Sequence, residues 1–376
     1  MIKIGIAVAL ALALAQGGSA AACPSNLSSL KDETARLHQV FVPVADNVKL
    51  EVLDWGGTGR PLVLLSGLGN TAHVFDDIAP LLAGHFHVYG ITRRGFGASS
   101  APAGGYTAEV LADDIVAVLK SLKIERPILV GHSIAGEELS AVGDRHPELV
   151  AGLVYLDSIH EYAVYDPARG AYLADLRRVA EDIAQLQADP QDGPHMKTLQ
   201  ADVDALHKST AEALAGRAAD DASAAGAAPP SGPDPMASFA AFRCLVSGQL
   251  GGPIPEDELH QGFADTPTGG VGDQKTPDFV YSAILAGEDR FTAPKLPILA
   301  IVPVPRASDL PVGSDPAARQ ADDDRHTRQQ EAEIATLKAQ QPSAIVVRIP
   351  HAHHYVFLSN PADVVQAITT FGDGIR

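Results

Sequence analysis

The chain has 376 residues, 46% of them hydrophobic, and carries 28 Lys and Arg against 46 Asp and Glu for a formal net charge of −18 at pH 7. That length supports one large core with an inserted subdomain. The acidic balance, with no dense Lys/Arg cluster, excludes nucleic acid and other polyanions as partners.

Residues 1–22 begin with Lys3, run apolar from Ile4 to Ala15 and close on the small residues Gly17, Gly18, Ser19, Ala20, Ala21 and Ala22. This is the pattern of a secretory signal, and the apolar run is too short for a transmembrane segment. The expectation is export, to the periplasm or the medium. Only two cysteines occur, Cys23 and Cys244, and in an oxidising compartment they can pair. Lipid anchoring at Cys23 is the competing fate, although Ala20 stands where lipoprotein signals usually carry leucine.

His38 to Val44 and Val48 to Asp54 flank Ala45, Asp46 and Asn47 and read as a hairpin. Pro61 to Leu65 is a fully apolar strand, Phe75 to Leu82 a short helix and His87 to Ile91 a further strand. Thr107 is placed to cap a helix whose Leu111, Ile115, Val118, Leu119 and Leu122 share one stripe. Pro127 to Val130 is another buried strand, and it runs into Gly131, His132, Ser133, Ile134, Ala135 and Gly136.

That run is read as the GxSxG pattern, a strand turning sharply into a helix with glycines flanking Ser133. Such a corner holds the hydroxyl clear of the sheet and aims helix N–H groups at what it attacks. The helix, Ile134 to Arg145, stops at His146 and Pro147.

Strands Leu153 to Leu156, Pro297 to Val302 and Ala344 to Ile349 come next, with a closing helix from Pro361 to Phe371. Strands alternating with helices predict an α/β architecture, a mostly parallel central sheet with helices on both faces and ligands at the carboxyl ends of the strands. Residues 160–293 break this rhythm with helical stretches at Leu173 to Leu186 and Met196 to Leu214, and an Ala/Gly/Pro-rich tract at 215–235. They read as an inserted helical cap with a flexible segment. The expected organisation is a signal at 1–22, core at 23–159, cap at 160–293 and core again at 294–376. Ala317 to Gln340 reads as a charged helix with a solvated face.

A serine hydroxyl needs a base, and histidine suits neutral pH. Of 14 histidines, those in Pro350, His351, Ala352, His353, His354 and Tyr355 follow the last strand and so reach the same sheet edge as Ser133. The order of elements, the corner at Ser133 and His354 ahead of Asn360 and Pro361 resemble the α/β-hydrolase fold, over nearly all of the chain past residue 22 except the cap. The resemblance implies that the catalytic histidine lies seven residues before the proline of the closing helix, which is His354, with His353 as second choice. A metal site at His351, His353 and His354 is the bland alternative, lacking an acidic or cysteine ligand at matching spacing.

A carboxylate must orient the imidazole. Most members place it after the penultimate strand, where Asp309 is nearest. Others, haloalkane dehalogenases among them, place it at the end of the strand before the cap, where Asp157 stands. Asp157 is preferred and Asp309 stays open. For the oxyanion hole, Ile134 supplies one backbone N–H, and Ser66, Gly67, Leu68 and Gly69 resemble the family's HGxG loop with Leu68 as second donor. Thr92 to Ser99 resembles the loop after the fourth strand and is expected to be structural.

The resemblance implies an exported serine hydrolase acting on a small-molecule carboxylic ester, with no cofactor and no metal. An aminopeptidase, a lipase or thioesterase, a cofactor-free haloperoxidase or a catalytically inactive binding protein would share the fold. A dinucleotide site at Gly67 to Ala72 with Arg93 and Arg94 would leave Ser133 and His354 without a role.

Overall fold

Apolar runs of four or five residues have no polar face to turn to water, so they settle as strands covered on both sides. In the computed structural model, which describes residues 37–224, 234–307 and 315–375, these runs build one sheet. Its strands are β1 (His38–Ala45), β2 (Val48–Gly57), β3 (Pro61–Leu65), β4 (His87–Ile91), β5 (Ile128–His132) and β6 (Gly152–Leu156). A small hairpin of β7 (Phe263–Asp265) and β8 (Val271–Gln274) stands apart, and β9 (Ile298–Val302) and β10 (Ile345–Arg348) complete the sheet. The order is β1-β2-β4-β3-β5-β6-β9-β10. β2 pairs antiparallel with β1 and β4, and every other pairing in this sheet is parallel.

The period of two in β3 divides its side chains between two cores. Leu62 and Leu64 join Val88, Ile128, Val130 and Val154 on one face. Val63 and Leu65 join Leu129, Leu153, Tyr155 and Ala300 on the other. Each such aliphatic side chain contributes about 1.5–3 kcal/mol by leaving water.

Helices α1 (Ala108–Leu122) and α2 (Ala135–Arg145) cover the second face, burying Ile115, Val118, Leu139 and Val142. Thr107 precedes α1 in extended backbone, but its side chain makes no capping bond to the helix. The expected Phe75 to Leu82 helix is a 3-10 turn at Ala72–Phe75 and a one-turn helix at Ala79–Leu82.

Between β6 and β9 lie α3 (Tyr172–Ala188), α4 (Gly193–Ala224), α5 (Phe239–Leu250), α6 (Glu256–Gly262), the β7/β8 hairpin and α7 (Asp278–Leu285). Ion pairs tie α3 and α4 to the stretch of chain between α7 and β9: Arg290 reaches Asp175 at 2.8 Å and also Asp202, and Arg178 reaches Asp289 at 2.6 Å. α4 runs to Ala224, so the first part of the tract expected to be flexible is helical. Alanine dominates there and proline enters only at Pro229, and alanine is the strongest helix former. Residues 225–233 lie outside the described residues, as do the expected leader, Cys23 and Asp309. Cys244, on α5, is disulfide-bonded.

α8 (Pro316–Gln340) departs from its expected solvated role. Ile334 and Leu337 enter the core, and Asp322, Gln330 and Glu333 are buried as well. One-turn α9 (Val356–Ser359) and α10 (Pro361–Gly374) close the chain, with Val364, Ile368 and Phe371 packed on the first face.

Candidate active site

β5 ends at His132 and α2 begins at Ala135, so Ser133 and Ile134 alone make the reversal. Ser133 sits at φ 54°, in the left-handed region that non-glycine residues adopt only when the surroundings enforce it. The enforcement is visible. Its N–H donates to the Leu156 carbonyl at 3.2 Å, and the Ser158 hydroxyl donates to its carbonyl at 2.6 Å.

A Cβ at Gly131 would lie 2.9 Å from Leu139 and 3.0 Å from the Ala135 carbonyl oxygen, and one at Gly136 would lie 2.1 Å from the Ser158 carbonyl oxygen. The pattern therefore needs correction. The second residue after the serine is Ala135, and the glycine that close packing demands is the third, Gly136.

Ser133 Oγ lies 3.0 Å from His354 Nε2, and the other ring nitrogen, Nδ1, lies 2.6 Å from Asp157 Oδ2. Asp157 directly follows β6, as Ser133 directly follows β5, and it too is left-handed, at φ 43°, with its N–H on the Ile301 carbonyl at 2.8 Å. Burial alone would raise this carboxyl. The His354 hydrogen bond and the charges of His354, Arg306 and His160 outweigh it and hold Asp157 well below the usual carboxylate range. Gln330 Nε2 donates to the second oxygen, Oδ1, at 2.9 Å.

His353 points elsewhere, its ring against Gly251, and His351 is exposed. Neither belongs to a cluster with metal-ligand spacing among the described residues. Asp157, His160 and His354 do share such spacing, but Asp157 and His354 are bonded to each other there and His160 leans on Glu333.

Sequence reasoning missed five residues here. His160 lies 6.3 Å from His354 between ring centres, and its Nδ1 is 3.3 Å from Glu333 Oε1. Burial would lower its pKa, but the Glu333 carboxylate and Asp157 push it up to about 9, so it is a cation at neutral pH. The Tyr162 hydroxyl lies near Ser133, and burial together with the charge of Glu288 pushes it well above the ordinary phenol value.

His132 is fully buried, donating from Nε2 to the His354 carbonyl at 3.1 Å, and burial beside His354 keeps it neutral. Gln330 and Glu333 come from α8. A histidine or tyrosine three to five residues after a strand-end aspartate is a weak signal, and buried polar residues on a charged helix give none.

The loop after β3 abuts the corner. A Cβ at Gly67 would fall 2.8 Å from His132 Nδ1 and 3.3 Å from Ser133 Cβ, and Leu68 is the next residue. Ile134 is the residue before the first turn of α2. Arg93 holds this loop, donating to the Ser66 carbonyl at 2.8 Å and the Gly67 carbonyl at 3.3 Å while pairing with Glu138 at 2.5 Å. Arg94 pairs with Asp114 at 2.6 Å. Both guanidiniums are buried and occupied, so they do not form the phosphate site of a dinucleotide.

A family model described as the alpha/beta hydrolase fold matches residues 60–240. The fluoroacetate dehalogenase of a Burkholderia species is 34% identical over 116 residues, 30% of this chain and 38% of that protein. The 2-(acetamidomethylene)succinate hydrolase of Mesorhizobium japonicum is 31% identical over 101 residues, 27% of this chain and 36% of that protein. With a third relative, from Mycobacterium phage D29, the chain spans 36% to 59% of the length of these curated proteins.

Among solved structures, that of E-2-(acetamidomethylene)succinate hydrolase superposes with a TM-score of 0.57 at 19% identity, covering 90% of this chain and 100% of that one. A thermophilic esterase from Thermogutta terrifontis gives a TM-score of 0.51 at 19% identity, covering 89% and 97%. At such identities the likeness is one of fold.

Proposed function

We propose that this chain, which has the α/β-hydrolase fold, is a serine hydrolase that cleaves a small carboxylic ester through an acyl-enzyme. The observation that carries the reading is the unbroken relay from Ser133 Oγ to His354 Nε2 at 3.0 Å and from His354 Nδ1 to Asp157 Oδ2 at 2.6 Å.

His354 takes the Ser133 proton as Oγ attacks the carbonyl carbon. Asp157 accepts the Nδ1–H bond and stabilises the imidazolium, staying ionised throughout. The Leu68 and Ile134 amides hold the oxyanion. The alcohol departs with the proton from His354, and water, deprotonated by the same ring, releases the acid.

The test is turnover of 4-nitrophenyl acetate and labelling by a fluorophosphonate. Ser133→Ala and His354→Ala should each lower kcat by about 10⁴-fold or more with the fold retained, and Ser133→Ala should not label. Turnover kept by either variant refutes the assignment.

Export is part of the proposal. Its support is the leader-like composition of residues 1–22 and the disulfide at Cys244, a bond that persists in oxidising compartments.

A further inference from the structure

The loop that carries Leu68 ends at Asn70 and Thr71, and one side chain from the segment between β6 and β9 grips both. Glu258, on α6, is 1% exposed, as buried as Asn70 at 0% and Thr71 at 2%. Its Oε1 accepts from Asn70 Nδ2 at 2.9 Å and from the Thr71 N–H at 3.0 Å, and its Oε2 accepts from the Thr71 hydroxyl.

A carboxylate only accepts, so it fixes the Asn70 amide with nitrogen toward Glu258 and oxygen away. That oxygen receives the Tyr355 hydroxyl at 2.9 Å, and Tyr355 adjoins His354. The Ser66 hydroxyl, donating to the Asn70 carbonyl at 2.9 Å, closes the loop on itself.

We propose that Glu258 is a positioning residue, one buried carboxylate that sets the Leu68 loop directly and the His354 loop through Asn70 and Tyr355. The proposal rests on the serine hydrolase reading. Three donors face the carboxylate and only the Thr71 hydroxyl can also accept, so glutamine must set its N–H₂ on that hydroxyl and turn the Thr71 O–H away from the cluster. A buried carboxylate is costly. Here burial pushes the group up to about 7, against the bonds from Thr71 and Asn70 and the nearby imidazolium of His73.

The other titratable groups facing the cluster are the hydroxyls of Tyr355 and Tyr281, both affected by the Glu258 charge, and Asp76 and Asp257 beside His73. As pH falls through about 7, Glu258 exchanges an acceptor for a donor and both loops loosen.

The experiment uses the full chain with 4-nitrophenyl acetate, after fluorophosphonate labelling of the wild type. Glu258→Gln should lower kcat by about 10-fold or more while KM moves less than about threefold, since loosened donors are lost chiefly from the transition state. Its kcat should also fall less steeply below pH 7 than that of the wild type. Tyr355→Phe should lower kcat by about three- to tenfold, and the double variant should lose no more than Glu258→Gln alone, because both act through Asn70.

Wild-type kcat and pH profile in a folded Glu258→Gln, or losses that multiply in the double variant, overturn the inference. Should Glu258→Gln fail to fold, wild-type kcat in Tyr355→Phe overturns it. A wild type that neither labels nor turns over removes the serine hydrolase reading itself, and this inference with it. Normal wild-type activity with variants that keep wild-type kcat and pH profile removes the inference alone.

Discussion

The corner at Ser133 and helix α8 both end at the same imidazole–carboxylate pair, yet they are encoded in opposite ways. The corner is local. Within nine residues, 128–136, the chain writes a buried strand, a left-handed serine and a glycine against the Ser158 carbonyl.

α8 is 25 residues of mostly polar sequence, and nothing in its spacing distinguishes Gln330, which bonds Asp157, or Glu333, which charges His160, from the exposed residues beside them. A candidate site can thus take its serine from a motif and its electrostatics from a helix that reads as surface. The segment between β6 and β9 behaves like α8, meeting the loop after β3 through a buried polar side chain, Glu258 on Asn70 and Thr71.

Asp157→Asn probes the point where the two regions meet and should have the largest effect. Retaining shape but losing charge and the correct tautomer, it should reduce kcat by about 10³–10⁴-fold while thermal stability changes little. Near-normal turnover would transfer the acid role elsewhere, Asp309 being the position to substitute next.

Gly136→Ala tests the local code. A Cβ set 2.1 Å from a backbone oxygen cannot be absorbed by a side-chain rotation, so urea denaturation should show a loss of about 2–3 kcal/mol, with activity reduced as the corner shifts. A neutral outcome would mean that the corner is looser than the strand-to-helix geometry requires.

Glu333→Gln tests the tertiary code and should be the mildest. His160 is raised in the folded chain to about 9 from its ordinary 6.5, so its pairing stabilises the fold fully below pH 6.5 and that contribution is lost as pH rises through about 9. The wild type should lose stability over that window by urea melts, and Glu333→Gln should lose less, Asp157 still facing His160. An identical pH dependence in the two proteins would show that Glu333 does not set the charge of His160.

The parallel sheet was legible because β3, β5, β6 and β9 are short apolar runs with no face to spare, and His354 because it stands at a fixed distance from Pro361 behind the last strand. His353 and His354 are adjacent in sequence and face different neighbours, one Gly251 and the other Ser133. Here the resemblance rather than residue type made the choice.

Asp157 was only preferred over Asp309, since a strand-end aspartate serves equally as a turn residue. The continuation of α4 to Ala224 was missed for a related reason. Alanine-rich sequence next to Gly and Pro reads as linker by composition, although alanine itself favours helix.

By itself the sequence determined the period of the strands, the sharp corner that lifts Ser133 off the sheet and the segment that delivers His354, since each depends on neighbours a few residues apart. The tertiary structure alone decided which buried polar groups meet: Gln330 with Asp157, Glu333 with His160, Glu258 with Asn70 and Thr71. Those pairings join residues 173 to 188 positions apart. A polar side chain carries no mark of its partner until the cores on the two faces of the sheet have closed and burial makes an unpaired group too costly to keep.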